Sequence, residues 1–175
     1  MKDTKTIATG GICLAMATVS LYFASFVPGA ELTLYALASI FVAVMVDEKG
    51  LGGGALVYFG ASLLGFILVP GKIGILPFVF FFGIYPLIKY DAERRIKNRA
   101  AQFALKIVLF LCVFGVSLLF FKELFFPNND FHGVPPALVV ILGVIPFIAY
   151  DYILTALIRL YRRKVKGQKD DFKLS

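Results

Sequence analysis

The chain predicts an all-α membrane protein: a bundle of six transmembrane helices with both termini on the cytoplasmic side. Three observations predict it. The 175 residues are 59% hydrophobic and only 17% charged, with a mean hydropathy of +0.85. A soluble domain carries roughly 45–50% apolar and ~25% charged residues. The excess is too large for one core surrounded by water, so the bilayer must be the solvent for most of the outer surface. Second, the apolar residues fall in six runs separated by short polar gaps. Third, every Lys and Arg except Lys72 and Lys122 lies in the N-terminal tail, the second gap, the fourth gap with its flanks, or the C-terminal segment. Cytoplasmic loops carry the Lys/Arg excess, so this alternation sets the orientation.

Each element follows in order. Span 1 runs from Thr6 to about Val27, has no internal charge, and is ended by Pro28-Gly29. It follows a short basic tail but lacks a convincing Ala-x-Ala cleavage site, so it reads as a retained span. Span 2, Leu32–Val46, gives only ~22 Å of helix against a hydrocarbon core of ~30 Å, and must borrow length from its flanks. Asp47-Glu48-Lys49-Gly50 reads as a tight inner turn. Span 3 covers about Leu51–Val69, and Pro70-Gly71-Lys72 is a short outer turn. Span 4, Ile73–Lys89, contains Pro77 and Pro86. Asp91–Arg99 is a charged inner helix or loop. Span 5 covers about Ala100–Phe121, and an outer loop with the turn cluster Pro127-Asn128-Asn129-Asp130 extends to Pro135-Pro136. Span 6 covers about Ala137–Tyr161. Residues 1–162 thus form one membrane domain and 163–175 a basic cytoplasmic tail.

One internal echo is present. Gly83, Pro86, Ile88, Tyr90 and Asp91 recur as Gly143, Pro146, Ile148, Tyr150 and Asp151. It reads either as a parallel repeat or as a local device: a Pro that loosens a helix, then Tyr and Asp at the inner interface.

An ionisable residue inside a span is a candidate functional group. Lys106 lies ~10 Å deep from the inner side, counted from Arg99 at ~1.5 Å per residue. Asp151 lies ~12 Å deep, counted from Arg159 on the same rise. The depths agree and the spans are consecutive, so Lys106 and Asp151 are expected to face the bundle interior and pair, either as a gate or substrate contact or as a structural bond. Glu31 and Lys72, at the outer mouth, are further substrate candidates or plain turn residues. Gly11 and Ala15 on helix 1, and Gly54, Ala61 and Gly65 on helix 3, form small-residue faces that let helices approach closely, within the chain or against another subunit. Lys89, Arg94, Arg95, Lys97 and Arg99 mark a basic inner surface suited to anionic lipid.

Several classes are excluded. The net charge of +7 sits beside span ends rather than in a nucleic-acid footprint. Cys13 and Cys112 both lie in apolar runs and read as buried, reduced thiols. One His, His132, cannot build a triad or a zinc cluster, and no cofactor or metal site is expected. Gly65–Lys72 looks like a phosphate loop but has one residue too many between the glycines, and Ile73 stands where Ser or Thr is required. The chain is not read as an enzyme.

Six short spans, both termini inside, the Gly11/Ala15 face before the Pro28-Gly29 turn, the acidic turn Asp47–Gly50, and the Ile145-Pro-Phe-Ile-x-Tyr-Asp151 stretch leading into a basic tail resemble the substrate-binding S component of energy-coupling factor (ECF) transporters. So does Gly83-Ile-Tyr-Pro-Leu-Ile-Lys89 followed by Glu93. The resemblance covers about residues 6–162. It implies a cell-membrane protein that binds a small solute from outside. A transmembrane T subunit and an ATPase pair would drive release inside. Gly11 and Ala15 would then dock the partner, and the loops around Glu31, Pro70–Lys72 and Phe125–Pro136 would cap the ligand. Those loops are poor in Trp, Asn, Gln and His, which favours a partly apolar ligand over a very polar vitamin. The N-terminal His of nickel and cobalt binders is absent. Two rival readings are a scaffold or regulatory protein of the same fold, acting through its basic inner surface, and a stand-alone transporter of a lipid-like substrate using Lys106 and Asp151.

Overall fold

The computed structural model describes residues 2–27, 29–96, 101–102, 104–108, 110–111 and 136–165. Among these, every regular element is helical. The helices are α1 (Lys2–Ala24), α2 (Glu31–Leu68), α3 (Tyr85–Arg95) and α4 (Pro136–Val165), with a 3-10 turn at Lys72–Ile75 and a π-helical turn at Phe78–Phe82 between α2 and α3. The described residues of 101–111 are helical as well. Four stretches are long and apolar enough to cross a membrane: Thr4–Ala24, Glu31–Leu68, Lys72–Arg95 and Val144–Lys164. Large apolar side chains such as Ile7, Leu56 and Leu63 point outward from them. That is an outer surface suited to lipid rather than water.

α1 buries one stripe, Cys13, Ala17, Leu21 and Ala24, at helical spacing. Its hydroxyls need no outside partner. Thr18 donates to the carbonyl of Leu14 and Ser20 to that of Met16, each at 2.8 Å, so neither is left unbonded in an apolar surrounding. The helix unwinds through Ser25–Val27 before Gly29, whose φ of 85° suits a residue without a side chain.

The sequence places a turn over Asp47–Gly50. In the structure Asp47–Lys49 stay helical, and the break is confined to Gly50, with φ 72° and ψ −165°. That conformation is essentially reserved for glycine. The chain doubles back there: a Cβ at Gly54 would stand 2.1 Å from Cγ2 of Val46, whereas an unbroken helix would separate the two residues by ~12 Å. α1 lies against both halves of α2, with Leu14 at Gly60, Leu21 at Gly65 and Met45 at Gly10. The small residues Gly54, Ala61 and Gly65 are therefore spent on packing within the chain.

Span 4 departs from a plain helix. Its two prolines bracket the irregular part: Pro77 precedes the π-helical turn, and Pro86 opens α3, where the first turn requires no N–H donor. The second copy of the echo behaves differently, since Pro146 lies inside the continuous α4. The shared residues thus sit in two different backbone contexts.

One compact unit comprises Met1–Asp91 and Ile153–Ser175, and a second Ala92–Tyr152. The core of the first is built on Leu21, Val42, Ala61, Ile75 and Phe78. In the second, the Phe110 and Phe147 rings stack at 4.5 Å. Cys13 is a buried free thiol, as expected. Cys112, Lys122, His132 and residues 125–135 of the expected outer loop lie outside the described residues, while Pro136 already opens α4.

Candidate functional site

Within the second unit, Lys106 Nζ lies 3.2 Å from Oδ2 of Asp151 and 3.0 Å from Oε1 of Glu93. The pairing of Lys106 with Asp151 expected from their matching depths is present. Glu93 is an addition that depth counting did not find, because it belongs to the charged stretch after span 4. The Lys106 side chain is 12% exposed, Asp151 21% and Glu93 43%. The ammonium is thus largely withdrawn from solvent, held by one half-buried and one half-exposed carboxylate. Nearby, Gln102 Nε2 donates to the carbonyl of Ile96 at 2.6 Å. The Ile96 carbonyl, just past the end of α3, thus accepts from a side chain. The cluster holds one ammonium between two carboxylates.

In the first unit, Lys89 donates to Oγ1 of Thr155 at 2.5 Å and is 4% exposed. This corrects the reading of Lys89 as part of the basic inner surface: its side chain is inside. Arg94 and Arg95 are exposed, as that surface requires. Lys97 and Arg99 lie outside the described residues. A second latch in the same unit joins α4 to the Gly50 bend. Arg162 contacts Oδ1 of Asp47 at 2.5 Å, and the Tyr161 hydroxyl donates to Glu48 at 2.9 Å. Asp47 is 6% exposed and Arg162 48%. The acidic turn therefore anchors the start of the basic tail, which spacing alone could not show.

Lys72 serves the fold. Its ammonium donates to the carbonyl of Phe66, reaches that of Ile67, and stands 5.3 Å from the centre of the Phe66 ring. A cation at the C-terminal carbonyls of α2 is the favourable arrangement for both the carbonyls and the helix dipole. Glu31 is exposed in the first turn of α2, where an acid complements the dipole's positive end.

Gly11 and Ala15 are exposed on α1, and a Cβ on Gly11 would meet nothing within 4 Å. Unlike the small residues of α2, they do not serve packing among the described residues. None of the described His, Cys, Asp and Glu side chains gather as a metal site. No family model, curated protein or solved structure matches the chain.

Proposed function

We propose that the chain is a six-span cell-membrane protein with both termini cytoplasmic. The 38 residues of α2, reversed at Gly50, would supply two of the passes, and residues around 101–121 a further one. Its role is that of an S-component-like subunit: it binds a small, partly apolar solute from outside and depends on a transmembrane partner and an ATPase pair for uptake. The observation that supports this reading is the exposed Gly11–Ala15 face of α1. It is a close-approach surface left unused by the helices among the described residues. The basic residues at the inner ends of the spans would contact anionic lipid.

Mild detergent extraction followed by mass spectrometry of the retained proteins and small molecules tests the assignment. Native protein should carry a membrane subunit, an ATPase pair and a solute; Gly11→Leu with Ala15→Leu should lose the protein partners and keep the solute. Recovery of the native chain with neither partner nor solute would overturn the reading. Topology is tested separately. A cysteine at Arg95 should stay unlabelled in intact cells, and one at Asn129 should react.

The cluster of Glu93, Lys106 and Asp151 favours a second reading, a stand-alone carrier of a lipid-like substrate. Transport by the purified chain alone in liposomes would select it.

A further inference from the structure

We propose that the stretch Lys72–Arg95 is a two-state element, in which the π-helical turn at Phe78–Phe82 is held by the Tyr58 hydroxyl and its release turns α3 by one residue. In a regular helix the N–H of Gly83 would serve the carbonyl of Val79. Here it donates to Phe78, five residues back, at 2.7 Å. The turn therefore contains one residue more than a regular helix would hold, an arrangement that is rare and marks hinges and functional sites. The carbonyl of Val79, deprived of that donor, accepts the Tyr58 hydroxyl at 2.8 Å. Gly83 makes room for the ring, since a Cβ there would stand 2.6 Å from Cδ2 of Tyr58. Upstream, the Tyr35 hydroxyl donates in the same way to the carbonyl of Gly74. Pro77, just before the π-helical turn, removes an N–H group that would otherwise bind the stretch to itself. Side chains of α2 thus supply hydrogen bonds that the backbone of this span does not.

The consequence is geometric. If the extra residue joins the helix, everything after it shifts by one position, about 100° and ~1.5 Å. The place on α3 that faces Thr155 would pass from Lys89 to Ile88. The ammonium, now 4% exposed and bonded to Thr155, would leave that contact and an apolar side chain would take it. One hydroxyl–carbonyl bond would then govern whether a buried cation is presented or withdrawn. The device does not depend on the identity of any solute.

Cysteine cross-linking between α3 and α4 tests it in membranes, in a full-length chain carrying Cys13→Ala and Cys112→Ala. With Tyr58 intact, Lys89→Cys with Thr155→Cys should cross-link and Ile88→Cys with Thr155→Cys should not. Tyr58→Phe should raise the second product several-fold at the expense of the first. Deleting Phe80, an outward residue of the turn, removes the extra residue itself. In the Tyr58→Phe background it should return the cross-link to position 89. Should Tyr58→Phe fail to accumulate, Gly83→Ala displaces the same ring and carries the same expectation. An unchanged position 88 yield in whichever variant folds, or a Phe80 deletion that leaves the cross-link at position 88, would overturn the proposal.

Discussion

Lys106 lies 3.2 Å from Asp151, and the same ammonium lies 3.0 Å from Glu93. One cation therefore answers two carboxylates, and the two sides of the arrangement are not equivalent. Removing the cation leaves two negative charges together in a partly buried place. Removing Asp151 leaves Lys106 with Glu93.

Lys106→Met is therefore expected to destabilise the protein more than Asp151→Leu does. The loss for Lys106→Met should be about 3 kcal/mol, the lower end of what breaking a buried pair costs, because Glu93 is near enough to solvent to be screened. The double variant should recover much of that loss, since it leaves only the half-exposed Glu93. Thermal unfolding in one detergent measures all three. A double variant no more stable than Lys106→Met would show that the contact with Asp151 contributes nothing.

The depths of Lys106 and Asp151 are legible in the sequence, because helical rise converts sequence position into distance from the membrane face. Glu93 is not, because it follows a span and a charged stretch there reads as solvated. Lys89 was misread for a related reason. A Lys at the end of an apolar run normally snorkels outward, and only the approach of Thr155 shows that this one is buried. The break in α2 was legible as a Gly after three charged residues. Its restriction to Gly50 was not, since Asp47–Lys49 have ordinary helix propensity and the burial of Asp47 beneath Arg162 is a tertiary effect. The π-helical turn leaves no periodic signature in a stretch as uniformly apolar as Phe78–Phe82. The flanking prolines were the one hint.

Gly50 and Gly52 form a controlled pair. Neither has an atom that an added Cβ would meet within 4 Å, but Gly50 has φ 72° while Gly52 is helical. Any difference between their alanine variants is therefore a backbone effect. Gly50→Ala should destabilise by about 1–3 kcal/mol, the cost of holding a side-chain-bearing residue in that region. Gly52→Ala should stabilise by ~0.5–1 kcal/mol through helix propensity. Equal shifts in unfolding midpoint would mean that the bend is not where the structure places it.

The latch between α4 and the Gly50 bend predicts a local effect. Arg162→Ala removes the contact with Asp47, whose carboxylate is 6% exposed. Arg162 itself is half-exposed, so the loss should be only ~1 kcal/mol, at the upper end for exposed ion pairs. The clearer sign is release of the helix end: amide exchange at residues 159–165 should quicken, whereas that of α1 should not. Asp47→Asn should act in the same direction, because both changes remove this contact.

Small residues on α1 and α2 separate packing from docking. At Gly54 an added Cβ would stand 2.1 Å from Val46, and at Gly65 2.3 Å from Ile75. Gly54→Leu and Gly65→Leu should therefore each lower stability by at least ~1–3 kcal/mol, the range for overpacking a filled interior. At Gly11 the added side chain meets open space. Gly11→Leu should leave the unfolding midpoint of the isolated chain within the ~0.5 kcal/mol expected of a surface change. It should still weaken whatever complex the native chain forms through α1. The decisive comparison is unfolding and co-purification on the same preparations. A Gly11→Leu protein that unfolds as early as Gly54→Leu would show that α1's outer face is already packed in the isolated chain, and the docking role would then have to lie elsewhere.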